Sequence, residues 1–269
     1  MSTLVAPDPN PASSLRDLAN SRELLWSFVR RDLIVRYRNA VLGVSWAVAS
    51  PLLQMVIFAV IFTRIVRVET GLPYPLFAYS GLVAWSLTAS ALRAATTSLS
   101  GNSLLVTKVY FRREVLPLSA VIVAFADFCV ALLLVGVMMA YYGIPLPATS
   151  LFLIVVIAVQ LAFTIGLALM LAAANLFWND VRYAFELLVN AWMFATAVLY
   201  PADLVTGRLG LVFRLNPMTP IVEAYRDVLL RGTLPSPAGF GWAMFVAIAV
   251  LFAGIALFRR SEPRFAEVA

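Results

Sequence analysis

Long apolar runs constrain this chain more than any other feature. Crossing a bilayer core of about 30 Å as a helix takes about 20 consecutive apolar residues. Six segments read as candidates: 44–63, 76–93, 117–142, 151–174, 184–200 and 239–258. Of the 269 residues, 62% are hydrophobic and 13% charged. A soluble domain carries about 25% charged residues. The expectation is an all-α integral membrane protein. The second candidate carries Ser and Thr, and the fifth is short.

The segment before the first run has another pattern. Over 21–43, Leu25, Val29, Leu33 and Tyr37 repeat every four residues, and Leu24 and Phe28 widen that face. Arg22, Arg30, Arg31, Arg36 and Arg38 mostly take the other faces. This predicts a basic amphipathic helix lying along the membrane surface, capped by Asn20 with Glu23 three residues on. Residues 1–20, with Pro7, Pro9 and Pro11, read as a disordered lead, and 259–269 as a tail. The expected domain organisation is one six-span unit over 44–258.

Charge sets the orientation. Six spans put both termini on one side. If that side is the cytoplasm, fourteen of the twenty Lys and Arg residues face it: six precede residue 44, four lie across 93–116, one is Arg182 and three fall within 259–264. Arg64, Arg67, Arg208, Arg214, Arg226 and Arg231 face outward. The excess of basic residues inside supports this choice. The net charge of +6 is therefore a topology signal, with no nucleic-acid partner implied.

The outer segment 201–238 is too apolar for a plain loop. Thr219 can cap a helix with Pro220 at its first position. Ile221, Val222, Tyr225, Val228 and Leu229 share a face, and Gly232 ends it. One or two short helices dipping into the outer leaflet are expected.

Several chemistries are excluded. The chain has no histidine and one cysteine, Cys129, so zinc or haem sites built on His and Cys, and His-dependent triads, are out. A P-loop needs Gly-Lys after its first glycine, but the one lysine, Lys108, follows Thr107. No metal site is expected. Asp127 falls about ten residues into the third run, near the bilayer centre by a rise of about 1.5 Å per residue. A carboxylate there either lines a pathway or pairs across helices; Glu186 and Asn190 pose the same choice. Trp46, Trp178 and Trp242 sit at span ends, as interfacial anchors do. Trp85 and Trp192 within spans, and Tyr79 and Tyr200 near outer ends, are either sugar-stacking platforms or ordinary packing.

Four groups of residues, in order around the six spans, resemble the permease subunits of bacterial ABC-2 type polysaccharide exporters of the O-antigen and teichoic-acid kind. They are Arg36-Tyr37-Arg38 with Leu42-Gly43, Trp46 and Ser50-Pro51-Leu52; the stretch from Asn102 to Pro117 with Lys108, Phe111 and Glu114-Val115-Leu116-Pro117; Asn175 with Asp180-Val181-Arg182; and Tyr200-Pro201 followed by Asn216-Pro217-Met218 and Tyr225-Arg226. The family often has arginine just before the aspartate, where this chain has Asn179.

The resemblance implies a homodimer paired with two copies of a separate P-loop ATPase, which carries the ATP and Mg. It implies ATPase docking through Arg30, Arg31, Arg36, Arg38, Lys108, Phe111, Arg112, Arg113 and Glu114. It implies an outer gate at Tyr225, Arg226 and Val228, and a lipid-linked glycan threaded through a channel between the two permeases in the bacterial inner membrane, for which Trp46, Tyr79, Trp85, Asp127, Trp192 and Tyr200 are the candidate lining or stacking residues. Arg30, Arg31, Arg36 and Arg38 also suit an anionic pyrophosphate lipid head. The rivals are an ABC-2 exporter of a drug or lipid, a non-transporting envelope assembly protein, and a membrane transferase, which would lack an acid/base pair here.

Overall fold

The computed structural model describes residues 11–38, 45–61, 71–108, 111–201, 204, 207, 210, 213 and 215–265. Among them the regular elements are all helical. In chain order they are α1 (Pro11–Arg38), α2 (Ser45–Val60), α3 (Tyr74–Thr96), α4 (Ser103–Lys108), α5 (Val115–Tyr141), α6 (Leu153–Phe177), α7 (Val181–Phe194), α8 (Met218–Arg226) and α9 (Pro237–Ser261). A short 3-10 turn, Ala148–Phe152, leads into α6, and a π-turn, Asp227–Arg231, extends α8.

Four helical segments are long and apolar enough to cross a membrane: Tyr74–Thr96, Val115–Tyr141, Ala148–Phe177 and Pro237–Arg264. They fall on the second, third, fourth and sixth runs, and the chain is a multi-pass membrane protein. The first and fifth runs differ. Helix α2 has 16 described residues, α7 has 14, and the end of the first run lies outside the described residues. Helix α7 stops because the chain turns at 195–199, where Ala197 takes a left-handed φ of 54°.

Helix α3 is the hub. Ala78, Gly81, Ala84, Ala89, Ala91 and Ala95 are all buried. Small side chains let neighbouring backbones approach closely, and in lipid packing of this kind holds helices together. Helices α5 and α6 flank α3, and α9 packs on α6. The α6–α9 crossing is tightest at Gly166 and Gly254. A Cβ on Gly254 would fall 2.3 Å from the Gly166 carbonyl oxygen, and one on Gly166 would fall 2.5 Å from that of Val250. Leu133, Ile154 and Phe252 project outward as a lipid-facing surface.

Helix α1 buries Phe28 and Val29, both from the expected stripe, and Phe28 joins a second cluster with Leu116, Leu176 and Phe258. It begins at Pro11 and not at Asn20, so Asn20 lies within the helix. Proline is tolerated at a first helical position, and no glycine or further proline interrupts 12–38. The outer helix also starts differently. Its N-cap is Pro217, and the amide of Met218 donates to Asn216 Oδ1 at 3.1 Å. Asn216 therefore does the capping expected of Thr219, whose buried hydroxyl has no partner among the described residues. Gly232 closes the segment with φ of 67°.

Candidate functional site: a polar path along α3 and α5

A cavity of about 260 Å³ opens between α2, α3, α5 and α7, lined by Gln54, Trp85, Ser86, Ser90, Arg93, Asp127 and Asn190 together with Leu82 and Phe128. The helical period brings Leu82, Ser86, Ala89 and Arg93 onto one face of α3. A charge in a span is costly unless partnered, and both charges here are partnered. The Arg93 Nε donates to Glu186 Oε1 and Oε2 at 3.0 and 3.1 Å, and its NH2 to Asn190 Oδ1 at 3.1 Å. Asp127 accepts from Arg36 at the end of α1. Arg36 thus turns inward to α5.

A second chamber, about 460 Å³, lies between α1, the end of α3 and the start of α5, lined by Arg31, Asp32, Arg36, Thr97, Ser98, Asn102 and Ser119 among others. The Arg31 guanidinium donates to Asp32 at 2.9 Å and to Asn102 at 3.4 Å.

The aromatic candidates separate. Trp85 meets Trp192 edge-on at 5.3 Å, and the Trp192 indole N–H donates to Asn216 at 3.1 Å. Of the aromatic candidates whose side chains are described, Trp85 lines the cavity, and Tyr79, Trp192 and Tyr200 do not. Tyr79 is fully buried and its hydroxyl donates to the Ala131 carbonyl at 3.4 Å. The Tyr200 hydroxyl donates to the Phe194 carbonyl. The Trp46 side chain lies outside the described residues.

Tyr225, Arg226 and Val228 are buried, so they act within the protein. The Tyr225 hydroxyl donates to Gln160 Oε1 at 2.6 Å, while Gln160 Nε2 donates to the Ala84 carbonyl at 2.6 Å and to the Thr88 hydroxyl at 2.9 Å. This network ties α8 to α6 and α3. The Arg226 guanidinium sits 3.6 Å over the Phe77 ring. It donates to Glu223 and to the carbonyls of Phe77, Ala197 and Val198. Gly81 makes room, since a Cβ there would fall 2.5 Å from Arg226 NH2. Burial pushes the Glu223 carboxyl up, but the Arg226 and Arg231 charges outweigh it and hold the group below its ordinary value. Burial raises Asp227 against its bond to Arg231.

The docking candidates also divide. Arg30, Arg38, Lys108 and Arg112 are exposed. Arg113 is a staple, donating to the Glu262 carbonyl at 2.6 Å and the Val106 carbonyl at 3.1 Å. Glu114 accepts from Arg259 at 3.2 Å, and Phe111 packs against Phe28. Sequence reasoning missed Gln160 and Arg93. An amide amid the apolar run of α6 was the available signal for Gln160. Among the described residues no cluster fit to hold a metal ion is present.

Residues 23–230 match the model of the ABC-2 type transporter family. The chain belongs to that family. An O-antigen export system permease protein RfbA from Myxococcus xanthus is 33% identical over 257 residues, covering 94% of this chain and 98% of that one. A protein of the same name from Klebsiella pneumoniae is 29% identical over 247 residues, covering 91% and 95%. Similarity on this scale takes in every element of the polar path.

Proposed function

We propose that the chain is the permease subunit of an ATP-driven exporter that moves a lipid-linked polysaccharide across the bacterial inner membrane. The observation that carries the reading is the end-to-end similarity to O-antigen export permeases. The polar path along α3 and α5 is consistent with it. Hydroxyl and amide groups beside Trp85 suit a sugar chain, because the apolar face of a pyranose ring stacks on an indole while its hydroxyls seek polar partners.

In this reading two copies form the channel, with α2 and α7 completing six spans and both termini in the cytoplasm. Two copies of a separate P-loop ATPase supply ATP and Mg chemistry and dock on the exposed Arg30, Arg38, Lys108 and Arg112. Segment 218–231 forms the outer gate, positioned by Arg226 and Gln160. Pull-down from native membranes followed by mass spectrometry tests the reading. A P-loop ATPase at one copy per permease, with lipid-linked glycan accumulating in a deletion strain, is the expected result. A preserved permease dimer that carries no ATPase would overturn it.

A further inference from the structure

The two cavities lie end to end. On α5 the lining passes from Ser119 and Val123 in the chamber to Ala124 and Asp127 in the cavity. On α3 it passes from Thr97 and Ala94 to Arg93 and Ser90. Where they meet, Arg36 from the chamber wall is bonded to Asp127 from the cavity wall.

We propose that the Arg36–Asp127 pair is an inner gate: a charged partition that closes the intramembrane cavity to the α1-side chamber and opens when a phosphate group draws Arg36 away from Asp127. The inference rests on the exporter reading and names the group on the cargo that opens the path.

Three observations carry it. The first is position, since this contact bridges the two linings and joins α1 to α5 across a sequence separation of 91 residues. The second is exposure. The two side chains are 37% and 18% accessible, so the pair is open to a ligand from the chamber, and a pair that is not sealed in protein exchanges partners more readily than a buried one. A phosphate matches a guanidinium fork better than a single carboxylate bond does. The third is company. Arg31 lines the same chamber, held in place by Asp32 and Asn102, and offers an arriving phosphate a second cation among the hydroxyls of Thr97 and Ser119.

The gate predicts where a reagent can go. The full chain carries Cys129→Ser and one added cysteine, either Ser90→Cys in the cavity or Thr97→Cys in the chamber. It is labelled in inside-out membrane vesicles with a membrane-impermeant maleimide. The vesicles come from cells that make no lipid-linked glycan. Thr97→Cys is expected to label in every background, and Ser90→Cys to be shielded.

Arg36→Gln or Asp127→Asn raises labelling at Ser90→Cys about fivefold, the size expected from losing a partly exposed ion pair. The double reversal Arg36→Asp with Asp127→Arg restores shielding, which a variant that merely misfolds would not do. Inorganic pyrophosphate raises Ser90→Cys labelling with Arg36 present and leaves it unchanged in Arg36→Gln.

Ser90→Cys labelling that ignores Arg36→Gln overturns the gate alone. Shielding of Ser90→Cys in these vesicles, whose phospholipids are present throughout, is what sets a cargo phosphate apart from a bulk headgroup; full labelling before pyrophosphate is added leaves no closed state and likewise overturns the gate. Failure of Thr97→Cys to label overturns the cytoplasmic placement in the exporter reading itself.

Discussion

Arg226 is fully buried in a membrane protein, which ordinarily carries a heavy penalty, and its partners explain why it is tolerated. Glu223 supplies the counter-charge, and carbonyls from α3 and from the turn after α7 accept from the two terminal nitrogens, while the buried Nε has no partner among the described residues. Arg226→Gln leaves Glu223 and those carbonyls short of donors. It is expected to cost about 3–5 kcal/mol, as removal of one member of a buried pair does, read as a lowered unfolding midpoint in detergent. The pH dependence has a definite sign. Glu223 has a folded-state pKa below its ordinary 4.5, so its contribution is complete above that value and is lost as pH falls beneath it. Asp227 is shifted upward from 3.8, so its protonation gives back part of the loss. The midpoint of the wild type is expected to hold from pH 7 to about 5 and to drop below about 4.5, with the drop reduced in Glu223→Gln.

Among the elements, the α6–α9 crossing is the most sharply constrained. Gly254→Val would drive a branched side chain into the Gly166 backbone. Overpacking costs about 1–3 kcal/mol where neighbours can shift, and backbone cannot shift like a side chain, so this substitution is expected to exceed that range. The measurement is the yield of monodisperse protein after size-exclusion chromatography, with Gly241→Ala, where a Cβ meets open space, as the neutral comparison. Much of this level was legible beforehand. Apolar run length located α3, α5, α6 and α9, and four-residue spacing found the face of α1 that buries Phe28 and Val29. Caps were less legible, because Asn216 acts through a turn that local sequence does not distinguish from Thr219-Pro220. Burial of Tyr225 and Val228 was hidden for a related reason: their partners lie more than fifty residues away in the sequence. Asp127, which the sequence reads as either lining a pathway or pairing across helices, is paired with Arg36 and borders a cavity.

At the scale of the whole molecule, charged groups divide between internal ties and an exposed set. Arg36, Arg93, Arg113 and Arg226 hold elements together, while Lys108 and Arg112 stay on the surface. The double reversal Lys108→Glu with Arg112→Glu is expected to lower ATPase co-purification about tenfold, chiefly by slowing association, without changing the yield of the permease. Equal recovery of the ATPase would remove these two from the docking surface.

The screening of α3 from lipid has a consequence for how the chain is made. This helix has a mean hydropathy of 1.2, against 2.7 for Val115–Tyr141 and for Ala148–Phe177. It can be so polar because protein, not lipid, surrounds it in the finished fold. During synthesis, though, α3 leaves the ribosome before α5 and α6, the helices that enclose it. Of the four long described spans, the one least able to partition alone is therefore the one expected to wait at the insertion machinery until its neighbours arrive.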